Sequence, residues 1–181
     1  MSSTITIFTA RKIITMNPVR PEATAVAVRD NRILGVGTLE ELEGWGEYVL
    51  DMAVEHAKKR VIFEEPIGSY QGVQHPLARA KTDLELAKLA VTRAVTACKN
   101  KENRDDISVY ASIAKYTATE AAYAAFDVSM QAHGGYSADR ETGIIALWPM
   151  VLLSRIIPLN NDVILEKYAE AALGLPEGAV S

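Results

Sequence analysis

Residues 131–176, QAHGGYSADRETGIIALWPMVLLSRIIPLNNDVILEKYAEAALGLP, decide the fold of this chain. They begin where a long alanine-rich helix, predicted over residues 107–133, gives way to Gly134 and Gly135. We expect Gly134 to end that helix in the left-handed conformation, which glycine adopts at no steric cost. The small side chains on one face of this helix would let neighbouring helices approach closely, so we place it in the middle of a bundle. That face is formed by Ile107, Ala111, Ala114, Ala118, Ala121, Ala125, Val128 and Ala132.

Two shorter helices are predicted after the glycine pair. The first spans about residues 143–155, and Pro149 is expected to start it late or to kink it. Pro158 separates the two helices, because proline has no backbone N–H to continue the helical ladder. Asn160 or Asn161 then caps the last helix, which should end near Gly174.

Upstream of this stretch, apolar residues recur with a helical period in two further segments. Residues 49–63 are predicted to form one helix, which ends by Pro66. After a loop at residues 67–74, Pro76 is expected in the first turn of the next helix, where a missing N–H costs nothing. Asp106 is expected to cap the alanine-rich helix after a charged loop. The helix that contains Pro76 carries an apolar seam, which consists of Leu77, Ala80, Leu84, Ala87, Val91, Ala94 and Cys98.

The first quarter of the chain shows the alternation of polar and apolar residues that is typical of strands. Asp30 and Asn31 favour a hairpin turn. A capping box formed by Thr38 and Glu41 should begin a helix that stays short because glycines flank Trp45. The predicted strands occupy residues 4–8, 12–16, 23–29 and 32–36.

These patterns together predict a mainly α protein: an antiparallel bundle of four or five helices with a small N-terminal β-rich appendage. We predict two units, residues 1–48 and residues 49–181, joined near residues 45–51. A sheet of three or four strands would leave an edge or an apolar face open. We therefore expect it to pack on the helices or on another subunit.

Composition excludes several classes of function. Of the 181 residues, 49% are hydrophobic and 23% are charged, and the net charge of −4 is unlike that of a basic nucleic-acid binder. The single cysteine, Cys98, excludes an internal disulfide, and its place on the apolar seam favours a core residue over a reactive thiol. The chain shows no signal-like start and no long apolar run, so we expect a cytoplasmic protein without membrane partners.

Several short motifs follow one another in a fixed order within residues 50–176. In that order they resemble the C-terminal helical domain of acyl-CoA dehydrogenases, and the likeness covers about two-thirds of the chain. The motifs are Arg60, Phe63, Pro66-Ile67, Gln71, the run YASIAK at residues 110–115, Gln131 and the pair Gly134-Gly135.

The resemblance implies FAD as the cofactor and a homo-oligomer in which FAD lies partly across a subunit boundary. It implies that the Arg, Phe and Gln of the first motif contact FAD, and that the second Gln and the glycine pair approach its adenine and pyrophosphate end. An arginine fork suits phosphate oxygens, and glycines let backbone N–H groups approach an anion. The candidate FAD residues are thus Arg60, Phe63, Gln71, Gln131, Gly134 and Gly135.

The resemblance also defines where the reaction would need a base. In the family, a glutamate removes a proton beside the acyl-CoA carbonyl while hydride passes to the flavin. One family location of that glutamate falls at Pro158 here, and proline cannot accept a proton. A second lies on the first helix, upstream of Glu55, where this chain has its N-terminal segment. No catalytic residue is therefore assigned. The sequence departs from the family at two further places: Glu64 replaces a frequent Gly, and Pro149-Met150 stands where many members have Arg-Asp.

Residues 1–48, through the runs ARKIITMNP and AVAVRDNRILGVG, resemble the N-terminal β segment of amidohydrolase-type metal enzymes. That resemblance implies a following His-x-His metal motif, which does not occur. His56, His75 and His133 are widely spaced in the sequence and share no helical spacing. Zinc needs three or four converging ligands, so no metal site is predicted.

Two hypotheses follow for the function. The first is an acyl-CoA dehydrogenase-like flavoprotein oxidoreductase that oxidises acyl-CoA thioesters at the α,β bond and is incomplete and inactive as an isolated chain. It would become active only with a partner subunit that supplies the missing domains. The second is a non-catalytic helical scaffold or oligomerisation module, produced by gene fusion or as a chimera.

Overall fold

The computed structural model of the chain describes residues 6–17, 20–29, 32–37, 45–139 and 142–178. Three antiparallel strands come first and lie in the order β1-β2-β3. Five α-helices then follow within the described residues, with a two-stranded hairpin between the first and the second. In chain order the elements are β1 (Thr6–Asn17), β2 (Arg20–Arg29), β3 (Arg32–Gly37), α1 (Trp45–Lys59), β4 (Val61–Ile62), β5 (Glu65–Pro66), α2 (Gln71–Lys99), α3 (Arg104–His133), α4 (Ile144–Ser154) and α5 (Asn161–Leu173).

The N-terminal sheet confirms the predicted strands with one difference. Residues 4–8 and 12–16 were expected as separate strands, but β1 is continuous, and its register with β2 shifts between Thr9 and Ile13. A β-bulge of this kind absorbs an irregularity in the alternation without a turn. The predicted partners β2 and β3 pair antiparallel, with Arg29 opposite Arg32. The predicted turn at residues 30–31 and the capping box at residues 38–41 lie outside the described residues.

α3 is the central helix of the bundle, as its alanines predict. It packs against α1, α2, α4 and α5. One core cluster joins it to α1 and α2 through small and aliphatic side chains, among them Leu50, Ala53 and Leu84 with Ala121 and Ala125. A second cluster joins it to α4 through Phe126, Ile144 and Val151, together with Val49 of α1.

α1 differs from the prediction at both ends. The short helix expected around Trp45 and the helix expected over residues 49–63 are one helix, which begins at Trp45 and ends at Lys59. It continues through Gly46 because α3 lies so close there that a Cβ would stand 3.1 Å from the Ala122 Cα. Its C-terminal end is earlier because Val61 and Ile62 pair with Pro66 and Glu65 in the hairpin. The predicted division between residues 48 and 49 falls within this helix, and the two-unit division stays a prediction.

α2 begins earlier than predicted. It starts at Gln71, so Pro76 lies inside the helix rather than in its first turn. The backbone carbonyl of Tyr70 accepts from Val73 N and Gln74 N at 2.9 Å, which starts the helix ahead of the proline. At the other end Cys98 is exposed and Ala97 is buried, so the expectation of a core cysteine was wrong. The predicted apolar seam of α2 followed a seven-residue repeat. A helix with 3.6 residues per turn drifts away from that repeat, so the buried position at this end of α2 is Ala97 and not Cys98.

α3 differs from the prediction at both of its caps. It begins at Arg104, because Asn103 rather than Asp106 caps it by accepting from Asp105 N at 3.1 Å. At its C-terminal end Gly134 does have a positive φ of 58°, but its ψ of −136° lies outside the left-handed helical region. That backbone turns directly into a 3₁₀ segment, Gly134–Ala138.

α4 and α5 agree closely with the sequence patterns. Pro149 lies inside α4, which starts after Gly143. The side chain of Asn160 caps α5 by accepting from Asp162 N at 3.0 Å. Gly174 ends α5 in the left-handed conformation, with a φ of 65°.

The hairpin between α1 and α2 carries backbone strain that a substitution should relieve. Phe63 and Glu64 both have positive φ, 52° and 72°, in a two-residue turn that favours glycine. We expect Glu64→Gly to raise the free energy of unfolding by about 0.5–1 kcal/mol, measured by urea denaturation. Glu65→Gly is the control: it removes the same charge in β5, where φ is not positive, and should not stabilise. Equal effects of the two substitutions would contradict the strain argument.

The two phenylalanines of the bundle offer a matched test of its core. Phe126 is 0% exposed in the cluster between α3 and α4, whereas Phe63 is 88% exposed. We expect Phe126→Ala to lower the free energy of unfolding by about 3–5 kcal/mol, because it removes buried contacts and leaves a cavity. Phe63→Ala should change it by less than about 0.5 kcal/mol. Urea unfolding followed by circular dichroism measures both, and a comparable loss in Phe63→Ala would show that the ring packs in solution.

Candidate functional site

A cleft of about 560 Å³ lies where the C-terminal ends of α1 and α3 meet the β4–β5 hairpin. Five of the six predicted FAD residues line it, although they come from two distant parts of the chain. Gln71 does not line the cleft; it begins α2 with its side chain exposed, and its role stays a prediction. The cleft is lined by His56, Arg60, Ile62, Phe63, Ile67, Tyr70, Val73, Gln131, Ala132, His133, Gly134, Gly135 and Tyr136.

Arg60 stands at the point where the chain leaves α1. Its backbone N donates to the His56 carbonyl and its carbonyl accepts from Ile67 N, both at 2.8 Å, so the backbone is held on two sides. The guanidinium is exposed, and no carboxylate of the described residues forms an ion pair with it. A fixed backbone with an unpaired cationic head is an arrangement that can bind an anion.

The hairpin presents an aromatic ring at the rim of the cleft. Phe63 lies in its turn and is almost fully exposed. The Tyr70 hydroxyl donates to the Ile62 carbonyl at 2.9 Å and so ties the hairpin to the start of α2. The hydrogen bond holds the backbone beside Phe63 while the ring itself is left without a partner from the core. Such a ring is available to a planar ligand or to a second chain.

The glycine pair leaves the backbone open at the opposite wall. A Cβ built on Gly134 or on Gly135 would meet no other atom within 4 Å. Gly134 is needed for its positive φ, and its backbone N–H donates to the Gln131 and Met130 carbonyls at the end of α3. Gln131, one turn earlier on α3, is also exposed. This wall can therefore offer uncharged donors to a ligand.

Two histidines that the sequence analysis treated as unrelated meet in the cleft. The rings of His56 and His133 stack with centroids 4.6 Å apart and an angle of 29° between their planes. His133 Nδ1 lies 2.8 Å from the Ser129 carbonyl; only an N–H can donate there, so Nδ1 carries a proton. Each histidine lies next to a motif residue, His56 one turn before Arg60 and His133 directly before Gly134. That adjacency is the signal that could have found the pair.

The electrostatics of the cleft favour anions. Burial lowers the pKa of His56, and the nearby His133 and Arg60 lower it further. Two imidazoles and a guanidinium line the cleft, and no Asp or Glu is among its lining residues. A concave site with this charge balance attracts phosphate or carboxylate groups.

A second polar cluster holds the segment that contains Pro158. Arg155 Nε donates to Glu120 Oε1 at 2.7 Å, and Asn161 Nδ2 donates to the same oxygen at 2.7 Å. Lys115, the last residue of YASIAK, donates to Asn161 Oδ1. Burial lowers the pKa of Lys115; the Glu120 carboxylate raises it, and Arg155 lowers it. The cluster fastens α5 to α3 on either side of the proline.

Three groups of residues outside the cleft bear on other possible functions. Among them, no three His, Cys, Asp or Glu side chains converge as metal ligands. Pro158 is exposed, and residues 155–160 contain no carboxylate. The described helices include none that is both long and apolar enough to cross a membrane.

Comparison with known sequences gives a consistent result. The family described as acyl-CoA dehydrogenase, C-terminal domain, matches residues 43–173. The acyl-CoA dehydrogenase FadE12 of Mycobacterium tuberculosis is 36% identical over 147 residues, which are 80% of this chain and 36% of that protein. A 3-(aryl)acrylate reductase of Clostridium sporogenes is 34% identical over 71% of this chain and 33% of its own length. The chain thus spans about a third of the length of these relatives.

Comparison with solved structures supports the same fold. Butyryl-CoA dehydrogenase from Megasphaera elsdenii aligns with a TM-score of 0.67 and 24% identity, over 95% of this chain and 49% of that one. PigA, solved with FAD and proline, aligns with a TM-score of 0.70 and 19% identity, over 96% of this chain and 56% of that one. Alignments of this extent include residues of the N-terminal sheet as well as the helices.

The histidine stack makes stability depend on pH. Because the pKa of folded His56 lies below its ordinary value of 6.5, the unfolded chain binds more protons than the folded one as the solution is acidified. The free energy of unfolding should therefore fall as the pH drops below about 6.5. Urea unfolding at several pH values measures this, and His56→Gln should reduce the fall. His75→Gln is the control, because His75 is exposed on α2 outside the cleft; an equal reduction there would contradict the assignment.

Proposed function

The chain belongs to the acyl-CoA dehydrogenase family, whose C-terminal helical domain it carries, and we propose that the cleft between α1, α3 and the hairpin is this domain's part of an FAD site. The activity to which that site would contribute is the α,β-dehydrogenation of acyl-CoA thioesters. The observation that carries the proposal is the convergence of Arg60, Phe63, Gln131 and the glycine pair on one cleft. The same residues are the ones that the resemblance of the sequence to the family implies as FAD contacts.

The chemistry of the cleft fits the parts of FAD. The unpaired guanidinium of Arg60 suits the oxygens of a pyrophosphate, and the lack of side chains at Gly134 and Gly135 leaves room for a ligand beside it. The exposed ring of Phe63 suits one of the flat ring systems. FAD, when bound, would supply the hydride acceptor, and the residues of this chain would hold and orient it.

Proton abstraction would have to come from elsewhere. Pro158 stands at one family position of the catalytic glutamate and has neither a carboxylate nor an N–H. A general base must lie within hydrogen-bond reach of its proton in a closed site, and the cleft is lined by no carboxylate. We therefore expect no dehydrogenase activity from these 181 residues alone. A glutamate and the remaining walls of the pocket would be supplied by further sequence or by another subunit.

Self-association is the second part of the proposal. Several large apolar side chains at the α4–α5 end of the bundle are more than half exposed, as is Phe63 at the rim of the cleft. Apolar surface of this kind is typical of protein interfaces. We propose that copies of the chain, or the chain and a partner subunit, pair through these surfaces in the cytoplasm. The apolar side chains at that end are Ile156, Ile157 and Leu159.

A non-catalytic scaffold is the alternative function. The observation that favours it is Pro158, since a domain that kept its bundle and lost its base would have no reaction to perform. In this case the cleft would remain as a packing surface. The amidohydrolase-like origin of residues 1–48 belongs to this alternative, as the product of a fusion, and stays a proposal.

Binding of FAD distinguishes the two functions. Purified chain is titrated with FAD, the quenching of flavin fluorescence is recorded, and the mixture is separated by size exclusion. We expect FAD to migrate with the protein and Arg60→Ala to weaken binding by about tenfold or more, because a charge-assisted hydrogen bond to phosphate is lost.

Lys59→Ala is the matched control for this titration. Lys59 is the neighbouring cation, but it is exposed, pairs with Glu55 at 3.5 Å and does not line the cleft. It should leave FAD affinity unchanged within about twofold. If FAD does not bind at any attainable concentration, the scaffold function replaces the flavoprotein one. If Arg60→Ala and Lys59→Ala weaken FAD binding equally, the loss of affinity comes from the lower positive charge of the protein and not from a contact in the cleft.

A further inference from the structure

The stacked histidines are not explained by an FAD site built from Arg60 and the glycine turn alone. His56 and His133 face each other at 4.6 Å on the wall between those two groups. A core histidine pair would be enclosed by apolar neighbours, but these rings border an open cleft. His133 is fixed by its Nδ1–H hydrogen bond to Ser129, so its Nε2 is the nitrogen left to interact with a ligand.

We propose that the His56–His133 pair is a proton-linked anion site, which takes up a proton when the phosphate groups of a bound dinucleotide lie against the two imidazoles. The inference rests on the proposed FAD function and adds its regulation by pH. Without a ligand, two protonated rings in parallel contact would repel each other, and Arg60 would add to that repulsion. A phosphate anion against the edges of the two rings offsets this repulsion and favours the protonated form.

The charged surroundings support uptake rather than release of a proton. No acidic group lines the cleft to neutralise the histidines in advance. The titratable or charged groups that do line it are His56 and Arg60 from α1, Tyr70 before α2, His133 from α3 and Tyr136 after α3.

The nearby carboxylates do not weaken the argument. Glu55 is held on the outer side of α1 by Lys58 and Lys59, at 2.7 Å and 3.5 Å. Glu64 and Glu65 belong to the hairpin but are not among the lining residues. Both histidines lie in the last turn of a helix, where the negative end of the helix dipole helps a cation to form. Burial and the neighbouring cations disfavour the protonated form of His56, and an anion placed against the rings opposes both effects.

Binding and proton uptake are measured together by calorimetry. FAD is titrated into the chain at about pH 6, 7 and 8, each in two buffers with different ionisation enthalpies. The pyrophosphate of FAD keeps its charge throughout, so a change in affinity reports on the protein. We expect FAD to bind up to about tenfold more tightly at the lowest pH than at the highest, with a measurable uptake of protons. Riboflavin, which has no phosphate, should show no proton uptake.

His56→Gln keeps a neutral side chain of similar reach and is the test variant. Whatever its affinity for FAD at the highest pH, that affinity should no longer rise as the pH is lowered, and the proton uptake should be lost. His75→Gln is the control, since this third histidine is exposed and outside the cleft, and it should keep the full pH dependence.

The possible results separate the two proposals. FAD binding without proton uptake, or with the same pH dependence in His56→Gln, would overturn the inference and leave the FAD site in place. Absence of FAD binding in the unaltered chain at every pH would overturn both. Proton uptake that also occurs with riboflavin would assign the linkage to another group and would likewise overturn the inference.

Discussion

The close packing of α3 against its neighbours is the constraint on which the rest of the structure depends. A helix with alanine at half of its buried positions lets other backbones approach, and α1 comes close enough that a Cβ at position 46 would stand 3.1 Å from the Ala122 Cα. Two separate core clusters then form on different sides of the same helix. The position of every other helix is set by how it meets α3, and so is the place where the ends of α1 and α3 converge.

The cleft is a product of helix ends. α1 and α3 end side by side, and the chain leaves each through a backbone that glycine or left-handed residues permit. Backbone groups that would be used up inside a helix become free at such ends, and the last turns bring basic side chains with them. One geometric event therefore brings a guanidinium and two imidazoles to the same space. The absence of carboxylates from the lining gives that space its preference for anions.

The sequence was sufficient for the type and order of the helices because their apolar periods are long and their end signals are strong. Asn160 begins α5 and Gly174 ends it, as expected. Both signals are local, because Asn160 accepts from a nearby backbone N–H and Gly174 adopts the left-handed conformation. The predicted boundaries of α1 were wrong because both depend on tertiary structure. Gly46 lies inside the helix where α3 packs closely against it, and the β4–β5 hairpin begins before Phe63. The order of the motifs was enough to predict that Arg60 and Gly134 belong to one site. The pairing of His56 with His133 was missed: each histidine lies beside a motif residue, but the contact between their rings is set by the angle between two helices.

The polar fastening of α5 has a consequence for local unfolding. Only Asn161 and Ile164 of this helix are buried, and its firmest link to α3 passes through the amide of Asn161, shared by Lys115, Thr119 and Glu120. Hydrogen bonds between half-buried side chains compete with water more readily than the contacts of the alanine-lined core do. The C-terminal helix should therefore open as a cooperative unit of its own, ahead of the bundle, and its amide protons should exchange with solvent at a lower free-energy cost than those of α3.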